Sequence, residues 1–240
     1  MIARLLGAIQ FLTILPVHRS TTSLGQSALF FPLVGAAIGA SGALLLQGLG
    51  AVLPPALAAG IVLCFWAFLT GGLHEDGLAD VADAFRAGRP PEKILAILKD
   101  SRIGAHGALA LLLAVLLRWH SLGSLATAEL AGSLAATLAV SRASMVALAW
   151  IAPPAGRGSG FEFSRSLTTP IAGGAILQAV ALSLFSPGAV FLVWGASLIV
   201  LGARWYFVRR LGGVTGDGLG ATCMIVETWG LLSLTCRLCT

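Results

Sequence analysis

Charge is what this 240-residue chain has least of. Asp, Glu, Lys and Arg together make up 10% of it, against about 25% in soluble domains. With 57% hydrophobic residues and a mean hydropathy of +0.92, that scarcity excludes an ordinary water-soluble domain and places the chain in lipid. It also lacks a concentrated basic surface: the net charge of +5 is scattered among connecting segments, which excludes nucleic acid as a partner. Cysteine is sparse, with four in all. Cys236 and Cys239 have C-x-x-C spacing but no second pair or histidine cluster, so they read as small fillers of membrane helices. No Gly-rich nucleotide fingerprint follows a strand, and no internal repeat is visible. An A-x-A-like cleavage site is also missing after the apolar stretch Met1 to Val17, where Pro16, His18 and Arg19 stand instead. That stretch is expected to stay uncleaved, as an amphipathic or re-entrant helix at the membrane surface.

What is present is a series of apolar runs. They predict spans near 30–52, 55–72, 103–119, 129–152, 170–186, 187–205 and 219–238. Small residues recur within them, as at Gly35 and Gly39, where helix backbones can approach closely. The expected fold is all-α: one polytopic helical membrane domain over 1–240 with about seven transmembrane helices and the N-terminal helix. Under this assignment segments 1–29, 71–102, 153–169 and 204–218 share one side and carry 12 of the 15 basic residues. Arg118 and Arg237 fall on the other side. The positive-inside rule makes the first side cytoplasmic. The polar, Gly-rich segments gather there too.

The acids are unevenly spread. Asp76, Asp80 and Asp83 are three of the ten acidic residues and follow a strongly apolar run. On a helix, 76 and 80 lie within about 40° of one face, and 76 and 83 within about 20°. Stacked like charges repel, and a divalent cation such as Mg²⁺ reverses that cost because carboxylate oxygens are its natural ligands. His74 adjoins the cluster. A second segment, Lys99-Asp100-Ser101-Arg102-Ile103-Gly104-Ala105-His106, brings cations and an imidazole to a predicted helix N-terminus, where anions bind. A third, the Gly-rich stretch 212–220, carries Asp217 into the last span, as a second metal ligand or a helix cap. Arg142 and Glu227 lie inside predicted spans, where unpaired charge is expensive. They either pair with each other or serve a site, Arg142 through the fit of its planar fork to phosphate.

Carboxylates for Mg²⁺, guanidinium groups for phosphate and one cytoplasmic mouth are the equipment of phosphoryl or phosphodiester transfer. Asp76-Gly77-Leu78-Ala79-Asp80 partly resembles the CDP-alcohol phosphotransferases of phospholipid synthesis, without their longer spacing. A secondary transporter using the intramembrane acids is the competing class, although its acids would be expected nearer the bilayer midplane.

A fuller resemblance rests on Phe11–Val17, Gly71–Asp80, Lys99–Gly104, Val140–Arg142 and Gly212–Ala221, with Glu227 following. In that order the chain resembles the cobalamin synthase family, adenosylcobinamide-GDP ribazoletransferase. Glu75 departs from the apolar residue usual there. The resemblance implies a bacterial inner-membrane, Mg²⁺-dependent transferase that joins adenosylcobinamide-GDP to α-ribazole or its 5′-phosphate and releases GMP. The residue patterns, set in that reaction, lead to the expectation that Asp76, Asp80 and Asp217 are catalytic residues and that Asp76, Asp80, Asp83, Asp217 and Glu227 are metal ligands. Lys99, Arg102, Arg142, His74 and His106 are expected on substrate. Membrane lipid surrounds such an enzyme, and a homo-oligomer or a nucleotide-loop assembly complex is its expected protein context.

Overall fold

A computed structural model describes residues 1–17, 23–86, 89–125 and 130–236, so His18, Arg19, Arg237 and Cys239 lie outside the described residues. Pro and Gly punctuate the apolar runs into twelve helices among the described residues: α1 (Ile2–Leu12), α2 (Leu24–Ser27), α3 (Phe31–Gly50), α4 (Pro55–Thr70), α5 (Leu73–Ala84) and α6 (Pro91–Ile97), then α7 (Ala105–Ser124), α8 (Leu130–Ile151), α9 (Ser159–Ser166), α10 (Thr169–Ser183), α11 (Ala189–Leu211) and α12 (Gly216–Thr235). The only β feature among them is an isolated bridge between Pro154 and Val214.

Five of the helical stretches are long and apolar enough to cross a membrane: Leu24–Gly50, α7, α8, α11 and α12. Two bent pairs, α4 with α5 at 89° and α9 with α10 at 99°, raise the number to seven. The expected spans 55–72 and 170–186 are therefore not complete straight helices. At 1.5 Å per residue, α4 and α10 reach roughly 24 and 22 Å, short of a hydrocarbon core of about 30 Å.

At the centre stands α8, almost wholly buried, with α12 beside it; α7 and α11 turn much of their surface outward. Gly35 and Gly39 of α3 sit directly on the α8 carbonyls of Leu138 and Leu134, where a Cβ would overlap backbone. This close approach is what the small residues allow. Trp66 of α4 closes the other side of α3, its indole N–H donating to the Ile38 carbonyl at 3.0 Å.

The connections that carry the polar motifs meet at one end of the bundle. The Ile14 amide donates to the Leu69 carbonyl at 2.9 Å and the Gly25 amide to the Ser166 hydroxyl at 3.1 Å. The Ala155 amide donates to the Val214 carbonyl at 2.9 Å, and the Val214 amide to the Pro153 carbonyl at 2.9 Å. From α11 the Tyr206 hydroxyl donates to Phe85 O at 3.1 Å, and Arg210 to Arg86 O at 3.0 Å. The four segments expected on one side of the membrane are thus gathered on one side of the protein.

Candidate functional site

The acidic helix owes its direction to two glycines. Gly71 and Gly72 take φ of 64° and 68°, a conformation that side-chain-bearing residues resist, and their amides close α4 on Phe68 O and Ala67 O. The chain turns there, and α5 starts with Glu75 and Asp76 in its first turn, where the helix dipole favours negative charge. On α5, Gly77 then lets the backbone rest against α12: a Cβ there would come within 2.9 Å of Asp217 O and 3.3 Å of Ala221 N. Asp217 sits in the first turn of α12, whose N-terminus is capped by Thr215 accepting from the Gly218 amide at 3.2 Å.

Helix contact therefore brings Asp217 to the acidic face. Asp76 and Asp217 line one slot of about 100 Å³ together with Ser159, Gly160, Gly216 and Gly220. Asp80 lies within electrostatic reach of Asp76, Asp217 and Asp83. Asp76, Asp80 and Asp217 enter no ion pair among the described residues. The contribution of α9 through Ser159 and Gly160 has no signal in the sequence, where 153–169 reads only as a connection. Phe163 of the same helix stacks on Phe31 with ring centroids 5.6 Å apart and so anchors α9 to the bundle.

Two of the expected ligands have protein partners of their own. Asp83 accepts the Gly104 amide, at the N-cap of α7, on Oδ2 at 2.7 Å, which commits one of its oxygens to the start of that helix. Glu227 gives Oε1 to Arg118 and Oε2 to Arg142, and is 1% exposed. With both oxygens taken by guanidinium groups, it is their counter-ion and not a ligand. For the same reason Arg142 is no phosphate contact in this arrangement: it is 3% exposed, with Nη1 on Glu227 and on Ser141 Oγ. His74 is also inside the bundle, 2% exposed beside this network, with neither ring nitrogen hydrogen-bonded among the described residues, and does not open onto the mouth where substrate was expected.

Arg118 is the residue that sequence reasoning misplaced. The predicted span ends at 119, which puts Arg118 in the opposite interface; α7 instead continues to Ser124 and carries it inside, 3% exposed. There it pairs with Glu227 and with Glu75, the latter at 3.2 Å. The apolar Leu122, downstream of it, was the available signal that the helix continues.

Lys99, Arg102 and His106 are exposed where α7 begins, and are joined to α5 by the Asp83 to Gly104 bond. Arg102 forks onto Asp100, Nε to Oδ1 at 2.9 Å and Nη2 to Oδ2 at 2.6 Å, with its own side chain 87% exposed. These hydrogen bonds, with the Arg102 amide adding another, hold the Asp100 carboxyl at about 2, below the ordinary carboxylate value. The site is an acidic face with an exposed cationic loop beside it.

Residues 4–235 match the family described as cobalamin-5-phosphate synthase. The chain is 36% identical over 244 residues to adenosylcobinamide-GDP ribazoletransferase of Chlorobaculum tepidum, covering 98% of this chain and 96% of that protein. It is 36% identical over 249 residues to the protein of that name in Ralstonia nicotianae, at 95% and 94% coverage. With the Syntrophobacter fumaroxidans protein of that name, identity is 39% over 241 residues, at 95% and 96%. No solved structure matches the chain.

Proposed function

The chain belongs to the cobalamin-5-phosphate synthase family, and we propose that it transfers the adenosylcobinamide phosphate group of adenosylcobinamide-GDP to α-ribazole or its 5′-phosphate. The acceptor hydroxyl attacks the phosphorus on the cobinamide side, a new P–O bond forms, and the pyrophosphate bridge breaks with GMP as leaving group. The proton lost by the hydroxyl goes to a carboxylate of the acidic face. The product is adenosylcobalamin or its 5′-phosphate. The relatives' names support the substrates.

The observation that carries the residue assignment is the contact of Gly77 with Asp217, which unites acids 141 residues apart in sequence (217 − 76) on one face. Asp76, Asp80 and Asp217 would hold Mg²⁺. Their donor chemistry fits, since all three are hard oxygen ligands without a protein cation. Among the described residues no three His, Cys, Asp or Glu side chains stand together so that they could hold a metal ion by themselves. Mg²⁺ commonly takes only one or two carboxylates and completes its shell with water and substrate phosphate, so the pyrophosphate would supply the remaining oxygens. Bound there, the ion supplies charge neutralisation to the pyrophosphate and the departing GMP. Lys99, Arg102 and His106 receive the outer phosphate charge, Arg102 by exchanging the Asp100 carboxylate for phosphate oxygens of the same fork geometry. The basic connections support a cytoplasmic placement of this end, and the family supports the bacterial inner membrane as its setting.

Purified protein should release GMP and form the joined corrinoid in equal amounts from the two substrates and Mg²⁺. Asp76→Asn, Asp80→Asn and Asp217→Asn should each lower kcat/KM by about 100-fold or more, with helix content unchanged. Wild-type protein that releases no GMP, or three active variants, would refute the reading.

A further inference from the structure

Beneath the acidic face runs a chain of charges, three of them buried and Glu75 half-buried, that the proposed reaction does not use. Arg118 of α7 donates to Glu75 of α5 at 3.2 Å and to one oxygen of Glu227 on α12, while Arg142 of α8 holds the other oxygen. Four helices are joined this way. Two carboxylates face two guanidinium groups, so the formal charge cancels. Buried sets of this kind add little net stability over apolar residues of similar volume, yet removing a single member leaves a buried charge unpaired. Stability alone is therefore a poor account of the set.

Its position suggests another. Glu75 immediately precedes Asp76, and the first turn of α5 hangs from two left-handed glycines with no side-chain cap. The contact at Gly77 fixes how close α5 lies to α12, but a residue without a side chain does little to fix the rotation of the helix. Asp83 ties the far end of α5 to the start of α7. Glu75 ties the near end to the same helix, deeper in the bundle, through Arg118. Each residue step on an α-helix is about 100°, so a modest rotation of α5 would carry Asp76 and Asp80 away from Asp217.

We infer that Arg118 is a positioning residue, which holds Glu75 against the Glu227–Arg142 pair and thereby sets the rotation of α5 that presents Asp76 to Asp217. This rests on the reaction proposed above only for its kinetic readout.

The test compares full-length wild type with Arg118→Lys, Arg118→Met and the double variant Arg118→Met/Glu75→Leu. Arg118→Met leaves one uncompensated carboxylate, the half-buried Glu75; the double variant restores a neutral set with apolar groups. In Arg118→Met, kcat should fall about 30-fold or more with KM for the corrinoid nucleotide within about 3-fold. Amides of residues 73–84 should exchange hydrogen about 10-fold faster or more. Arg118→Lys, which keeps a donor and the charge, should retain more turnover than Arg118→Met. The double variant should melt near the wild-type temperature yet keep the low kcat and fast exchange, because neutrality has returned and the tie has not. If Arg118→Met does not fold, the double variant supplies both readouts. Recovery of wild-type kcat in the double variant, or unchanged exchange over α5, would overturn the inference. Wild type that protects α5 but turns nothing over would refute the reaction and leave the tie to be judged by exchange.

Discussion

Asp83 shares a helix face with Asp76 and Asp80, yet its carboxylate is turned to the amide of Gly104, the residue that leads into α7. Sequence spacing places the three acids together and cannot say which of them finds a protein donor first. A cap of this kind contributes about 1 kcal/mol. Asp83→Ala should lower the melting temperature of detergent-solubilised protein by that equivalent, while Asp83→Asn, which retains an acceptor oxygen, should lose less. Both should keep wild-type divalent-cation affinity; a loss of affinity without a loss of stability would return Asp83 to the metal shell. Asp100 supplies the pH test. Its folded pKa, about 2, is depressed below the ordinary value by Arg102, so its contribution is present above the ordinary value and is lost as pH falls toward 2. Across pH 5 to 9 the pair stays ionised, and Asp100→Asn should leave the shape of the activity profile unchanged in that window. An acidic limb near neutrality that Asp100→Asn removed would contradict this. Among single residues, Arg142 and Glu227 were legible as charges that need a partner in lipid, but they were expected on substrate and on metal, and the structure pairs them with each other. The third member, Arg118, was not legible, because its placement depended on where α7 ends.

At the scale of elements, the site is made by helices that bend and helices that touch. The Gly71-Gly72 joint was visible as a break after an apolar run, but its 89° turn was not: sequence marks where a helix stops and not where the next one points. The contact of α5 with α12 was also hidden, since it joins distant segments through a glycine that reads as a spacer between two aspartates. Gly77→Val tests it. A Cβ would already stand 2.9 Å from Asp217 O, so the helices must separate, and kcat/KM should fall by about 10-fold or more while insertion and helix content persist. Near-wild-type activity would mean that the Asp217 turn is free to yield without consequence. The small residues Gly35 and Gly39 were read correctly as sites of close approach, because in lipid that is the recurrent use of such spacing.

For the molecule as a whole, hydropathy and basic-residue counting were enough for an all-helical polytopic bundle with its motif-bearing connections at one end. Both signals are sums over many residues and tolerate local errors such as the misplaced end of α7. The depth of each charge and the contribution of α9 are not sums, and they needed coordinates. The central claim is that acids on α5 and α12 form one metal centre. A titration of purified protein with Mn²⁺ in place of Mg²⁺, followed by electron paramagnetic resonance, tests it most directly. The account predicts one high-affinity ion per chain in wild type, lost in Asp76→Asn and equally in Asp217→Asn. An ion that binds with undiminished affinity in Asp217→Asn would contradict it and confine the metal to α5.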